Sequence, residues 1–355
     1  MTRRIFIAGL LVSGFALAQL PPERVKKIEQ LVTTEMARNS VPGISLAIAM
    51  NGKIQWTGGF GMADLENFVP MTASTRVRLA SISKPMTATA VMQLVEQGKI
   101  DLDSPISRYV PQFPQKQWPV TVRQLMSHTA GIRGYLGNEM SSTTHYTDHV
   151  TPMGVFAGDA LLFEPGTKYS YSTYGYTVIG AMVEALTHEK LVDYLREHVF
   201  VPAGMETIGE DSVYSLIPHR GRGYQLRPNG VVENCDLADT SNKIAGGGLI
   251  SAVTDLVRFA LALNEGKLVR SQTLKAMWTA TKLPDGTAAP YGLGFEIRQA
   301  DGLNTVGHTG GQRGTTTNLV ILPEKGIVFA YMMNLESAHA MTPIARGLRE
   351  ILLAP

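Results

Sequence analysis

The sequence predicts an α+β protein: an antiparallel sheet built from both ends of the chain, flanked by terminal helices, with a mainly helical lobe inserted between. Three observations carry this. Strand-like segments gather at 44–60 and again at 294–332. Amphipathic helical patterns open and close the chain. The centre, about 101–225, instead holds Pro-rich connections, short helical stretches and polar loops.

The elements follow in order. Pro22 to Asn39 carries Val25, Ile28, Leu31, Val32 and Met36 on one helical face. Ile44 to Met50 reads as a strand, Asn51-Gly52 as a two-residue hairpin turn, and Lys53 to Phe60 as the returning strand. Thr75 to Leu79 leads into Ser81, and Thr87 to Gln97 has helical composition that stops at Gly98. Val192 to His198 and Asp255 to Leu263 are short helices. Gly294 to Arg298, Asn304 to His308, Thr317 to Leu322 and Ile327 to Met332 read as strands, with turns at Asp301-Gly302 and Pro323 to Gly326. Ala338 to Leu353 is the closing helix.

Composition bounds the function. With 355 residues, 44% hydrophobic and 17% charged, the chain can bury a large core. Residues 1–18 read as an export signal, with a membrane anchor as the alternative to cleavage: Arg3 and Arg4, an apolar run from Ile5 to Leu17, then Ala16-Leu17-Ala18 before Gln19. The expected destination is periplasmic or extracellular, and the paired arginines suit a twin-arginine route. Removing Arg3 and Arg4 from the 32 basic residues leaves 30 against 30 acidic ones, which gives nucleic acid no basic surface. Cys235 is the only cysteine, so an internal disulfide and a cysteine-based zinc site are excluded. His145 and His149 are four apart, but their Thr- and Ser-rich surroundings show no helical face, so no metal is expected.

One cluster suggests chemistry. In Ser81-Ile82-Ser83-Lys84, positions i and i+3 at a helix start share a face, so hydroxyl and amine can meet. The unpaired amides of that helix end can hold an oxyanion. For Lys84 to serve as a base its pKa must fall by ~3 units from about 10.4, which burial can supply. Ser45 and Glu164 are read as structural and as surface respectively.

Arg78 to Thr87 resembles the nucleophile segment of the penicillin-recognising serine hydrolases, which include class C β-lactamases, low-molecular-weight penicillin-binding proteins and related esterases and peptidases. Tyr171-Ser172-Thr173, after Pro165-Gly166, is similar to the family's Tyr-x-Asn motif, and His308-Thr309-Gly310 to its Lys-Thr-Gly motif. Ser127 to Gly131, Gly246 to Ser251, Asp255-Leu256 and Tyr291 to Gly294 resemble accessory segments. The resemblance implies a β-lactamase/transpeptidase-like catalytic domain over residues 19–355 and an acyl-enzyme on Ser81, without cofactor. Lys84 and Tyr171 would share the proton work, with either as the base. Tyr169 and Tyr174 are rivals that lack the spacing from Pro165-Gly166. Backbone amides of Ser81 and Gly311 would form the oxyanion hole. Thr173, His308, Thr309 and Gly310 would contact the substrate, His308 lining the cleft from a sheet edge strand. The substrate would be a small molecule or peptide cleaved at an ester or amide bond. The alternatives are a β-lactamase or D,D-carboxypeptidase and a penicillin-binding sensor that does not turn over. Thr173 in place of Asn and His308 in place of Lys both weaken the β-lactamase reading, because a neutral imidazole grips a carboxylate less firmly than an ammonium.

Overall fold

The computed structural model describes residues 19–300 and 302–354. The expected export signal at 1–18 and Asp301 of the Asp301-Gly302 turn lie outside the described residues. The chain opens with α1 (Pro22–Arg38), whose apolar face buries Ile28, Val32 and Met36. Strands β1 (Gly43–Met50) and β2 (Lys53–Asp64) follow as a hairpin. Its turn places Asn51 at φ 52° and Gly52 at φ 78°, left-handed values that Asn-Gly tolerates. The short strands β3 (Val69–Pro70) and β4 (Val77–Arg78) lead to α2 (Ser83–Glu96). That helix begins four residues before the expected Thr87. Pro85 falls in its first turn, where a missing N–H costs nothing.

The middle of the chain supplies α3 (Val122–Met126), α4 (Thr173–Thr187) and α5 (Leu191–Leu195). Strand β5 (Gly209–Glu210) and a hairpin of β6 (Tyr224–Leu226) and β7 (Val232–Asn234) come next. Then come α6 (Ile244–Gly247), β8 (Leu249–Ser251), α7 (Val253–Asn264) and α8 (Ser271–Met277). The chain ends with β9 (Glu296–Ala300), β10 (Leu303–Gln312), β11 (Thr315–Leu322), β12 (Ile327–Met333) and α9 (Met341–Leu353).

The main sheet runs β3-β2-β1-β12-β11-β10-β9, every neighbouring pair antiparallel, and so joins the two ends of the chain. Strands alternate their side chains between faces. Ile44, Leu46 and Ile48 of β1, with Phe329 and Tyr331 of β12, pack beneath α1 and α9. Ala47, Ala49, Val328, Ala330 and Met332 pack on the opposite face with α2 and α7. Small alanines there let α7 lie close on β1 and β12. Asp255 at the start of α7 is buried and accepts from the Glu206 and Thr207 amides and the Thr207 and Ser251 hydroxyls.

Candidate active site

Ser81 sits in a single 3-10 turn, Ala80–Ile82, between β4 and α2. Ala80 before it has φ 50°, a left-handed conformation that costs an alanine roughly 1–2 kcal/mol. Such strain persists only where the surroundings impose it. The sheet does so here: Thr317 Oγ1 donates to the Leu79 carbonyl at 2.9 Å and Thr315 Oγ1 to the Arg78 carbonyl at 3.1 Å. The turn is thereby fastened to β11, beside Gly310 and Gly311 of β10. A Cβ on Gly310 would stand 2.5 Å from the Leu79 oxygen, so only glycine lets the strand come this close.

Lys84, one turn along, is wholly buried. Its Nζ lies 3.0 Å from Ser81 Oγ, 3.2 Å from Thr173 Oγ1 and 2.6 Å from the Gly246 carbonyl oxygen. Burial drives its pKa well below the usual lysine value. The Glu296 carboxylate opposes this, and the nearby Lys243 ammonium adds to it. Tyr171 hydrogen-bonds with Ser81, and its ring lies 4.8 Å from Lys84 Nζ. Burial of that hydroxyl raises its pKa well above the usual tyrosine value, so it stays protonated at neutral pH. The hydroxyl, amine and phenol expected to meet do meet. Tyr174, a rival in the sequence, instead donates to Glu139 Oε2 at 2.9 Å and stacks on Phe156. Tyr169 lies farther out, 6.2 Å from His128 and 6.4 Å from Tyr291 between ring centres.

Two expected substrate contacts prove to be internal. Thr173 is buried at the start of α4 and accepts from Lys84, so it orients the amine. His308 is correctly placed on a locally open strand edge, since β9 pairs with β10 only from Leu303 to Gly307. Its ring, however, turns inward and is buried. Nδ1 bonds to the Thr309 carbonyl, which leaves Nε2 to accept from the Tyr291 hydroxyl at 2.7 Å. Burial lowers its pKa to about 4, so it is a neutral imidazole at pH 7 with no free edge for a ligand. Thr309 Oγ1 donates to Glu296 Oε1 at 2.6 Å. Gly311 remains exposed, with open space where a side chain would be.

The sequence marks His128 and Tyr291 only as parts of accessory segments, without a role, and does not mark Glu296 or Lys243. His128, at φ 59°, is buried with its ring centre 4.2 Å from that of Tyr171 and 4.5 Å from that of Tyr291. Its Nδ1 accepts from the Ser172 amide, and burial beside Lys84 keeps it neutral. Glu296, Tyr291 and Lys243 complete the surroundings. His145 and His149 are tied down separately, to Asp239 and Glu184, each at 2.9 Å. Among the described residues no cluster of three or more His, Cys, Asp or Glu could hold a metal ion.

The chain is similar to known proteins along most of its length. The human mitochondrial serine beta-lactamase-like protein LACTB is 28% identical over 83% of this chain and 74% of its own. Penicillin-binding protein 4* of Bacillus subtilis is also 28% identical, over 88% of this chain and 72% of its own. Among solved structures, the D-amino acid amidase from Ochrobactrum anthropi SV3 complexed with D-phenylalanine superposes with a TM-score of 0.82 at 25% identity, covering 93% of this chain and 99% of that one. The family model described as Beta-lactamase matches residues 28–353, nearly all of the described structure, and the chain belongs to that family of serine hydrolases.

Proposed function

We propose that the protein cleaves an ester or amide bond through an acyl group carried on Ser81, with Lys84 as the base and Tyr171 as the proton carrier to the leaving group. The observation that carries this is the hydrogen-bonding of Lys84. A neutral amine has two N–H donors and one lone pair. The Gly246 carbonyl and Thr173 Oγ1 take the donors, which leaves the lone pair facing the Ser81 hydroxyl at 3.0 Å. The lowered pKa of Lys84 and the raised pKa of Tyr171 support the same roles. The proton passes from Ser81 to Lys84 as Oγ attacks the carbonyl, and Tyr171 protonates the departing group while recovering a proton from Lys84. Water then repeats the sequence on the acyl-enzyme. The amides of Ser81 and Gly311 are the proposed oxyanion donors.

The substrate reading favours esters and amides that lack a carboxylate beside the scissile bond. His308 is neutral and turned away. Arg133 is paired with Glu139 and Asp159, and Arg313 with Glu336. No unpaired cation therefore faces the cleft from these positions. Export by way of the first 18 residues belongs to the same proposal. A panel of acyl esters, amino-acid amides, a chromogenic cephalosporin and a D-Ala-D-Ala peptide tests it on wild type and Ser81→Ala. Turnover of esters or amides that vanishes in Ser81→Ala is expected. Turnover that persists in Ser81→Ala, or is confined to the cephalosporin and the peptide, overturns it.

A further inference from the structure

A second lysine is built into the same neighbourhood. Lys243 is 2% exposed, a rare state for lysine, and sits immediately before α6. Gly246, three residues on, supplies the carbonyl that holds Lys84. The Lys243 ammonium donates to the Met140 carbonyl at 2.7 Å and lies 5.2 Å from the centre of the Tyr135 ring. The Tyr135 hydroxyl in turn hydrogen-bonds with Thr173, the residue that accepts from Lys84. One aromatic ring and one threonine thus connect the two lysines.

We propose that Lys243 is a positioning residue of this active site, a fixed ammonium that acts on the reaction through Lys84. The proposal rests on the reading of Ser81 and Lys84 given above. Among the described residues no carboxylate lies within salt-bridge distance of Lys243; its ammonium bonds a neutral carbonyl, with Asp211 and Asp239 farther off. Two ammoniums close together in a water-poor interior disfavour each other, which is one way an enzyme keeps a lysine unprotonated.

Every charged neighbour enters the balance. Around Lys243, Arg78 and Arg313 disfavour its charge while Asp211 and Asp239 favour it, and with burial they bring its pKa to about 8. It is therefore mostly charged at pH 7. Around Lys84, Glu296 favours the charge and Lys243 disfavours it, while His128 and His308 stand neutral and Tyr135, Tyr171 and Tyr176 stay protonated. Lys243 and Glu296 pull Lys84 in opposite directions. As a general scale, one unit charge ~10 Å from a titrating group, at an effective dielectric constant between about 20 and 80, moves its pKa by roughly 0.3 to 1 unit.

The test is the pH dependence of Ser81 acylation by an alkyl fluorophosphonate, read by intact mass in wild type, Lys243→Gln, Lys243→Arg and Glu296→Gln, with melting curves for each. The acid limb is expected to move up by roughly 0.3 to 1 unit in Lys243→Gln, to stay within ~0.2 unit in Lys243→Arg, and to move down in Glu296→Gln. Loss of rate in Lys243→Gln with the limb unmoved marks a merely structural lysine and overturns the proposal, although the acyl-enzyme reading stands. If Lys243→Gln fails to fold, Glu296→Gln decides: a limb that does not fall shows that Lys84 ignores fixed charge at this range. A wild type that the probe never modifies overturns the underlying reading and this proposal with it.

Discussion

Gly310→Ala probes how the sheet holds the nucleophile turn. A Cβ at this position would lie 2.1 Å from Thr317 Oγ1, 2.5 Å from the Leu79 carbonyl oxygen and 3.2 Å from Ala80 Cβ. Ordinary contact begins near ~3.5 Å. The threonine hydroxyl can rotate away, at the cost of its bond to Leu79. The Leu79 oxygen is backbone and cannot, so β10 and the Ser81 turn must part by roughly 1 Å. Overpacking of this kind costs about 1–3 kcal/mol, and a displacement of ~1 Å at a reacting centre costs on the order of 100-fold in rate. Fluorophosphonate labelling should slow by about that factor while the melting temperature drops by several degrees. Gly311→Ala, whose Cβ meets nothing within 4 Å, should melt like the wild type. Labelling of Gly310→Ala at the wild-type rate would refute the claim that close approach of this strand sets the geometry around Ser81.

Further outcomes follow from the same contacts. Lys84→Met should lower the acylation rate by roughly 10²–10⁴-fold, the usual worth of a general base, as measured by stopped-time labelling. Tyr171→Phe should fold normally, since its ring contacts with His128 survive, yet turn over amides more slowly than activated esters, whose leaving groups need no proton. Asp255→Ala removes the buried acceptor of the Glu206 and Thr207 amides, the Thr207 and Ser251 hydroxyls and the Arg258 guanidinium, and should cost about 3–5 kcal/mol in urea unfolding. His308 has a folded pKa of about 4 against an ordinary 6.5, so the unfolded chain binds its proton first as pH falls. Its contribution is intact above pH ~6.5 and is lost progressively down to ~4, on the order of 3 kcal/mol in all. His308→Gln should flatten that part of the stability profile, as followed by melting temperature.

Much of this architecture is legible in the chain because local rules and global fold agree. Asn51-Gly52 marks its hairpin, the apolar runs of β1 and β12 fill two buried faces, and the three-residue spacing of Ser81 and Lys84 becomes a 3.0 Å contact. What escaped depends on partners far away in sequence. Nothing local says that the His308 ring turns inward; Tyr291, 17 residues earlier, supplies the hydroxyl that captures it. Thr173 reads as a substrate contact until α2 and α4 bring Lys84 against it. The Thr- and Ser-rich surroundings of His145 and His149 read as one of the polar loops of the centre, yet His149 is buried against Glu184 of α4 and Ser141 accepts from Arg313. Lys243 carries no motif that a single sequence would flag. Only its burial beside Tyr135 reveals it.

The central claim is that Ser81 becomes covalently acylated because Lys84 takes its proton. Intact-mass measurement after incubation with an alkyl fluorophosphonate, followed by peptide mapping, addresses it directly. A single adduct on Ser81, absent in Ser81→Ala and strongly slowed in Lys84→Met, is the predicted result. An adduct on another residue, or one that forms equally fast in Lys84→Met, would contradict it.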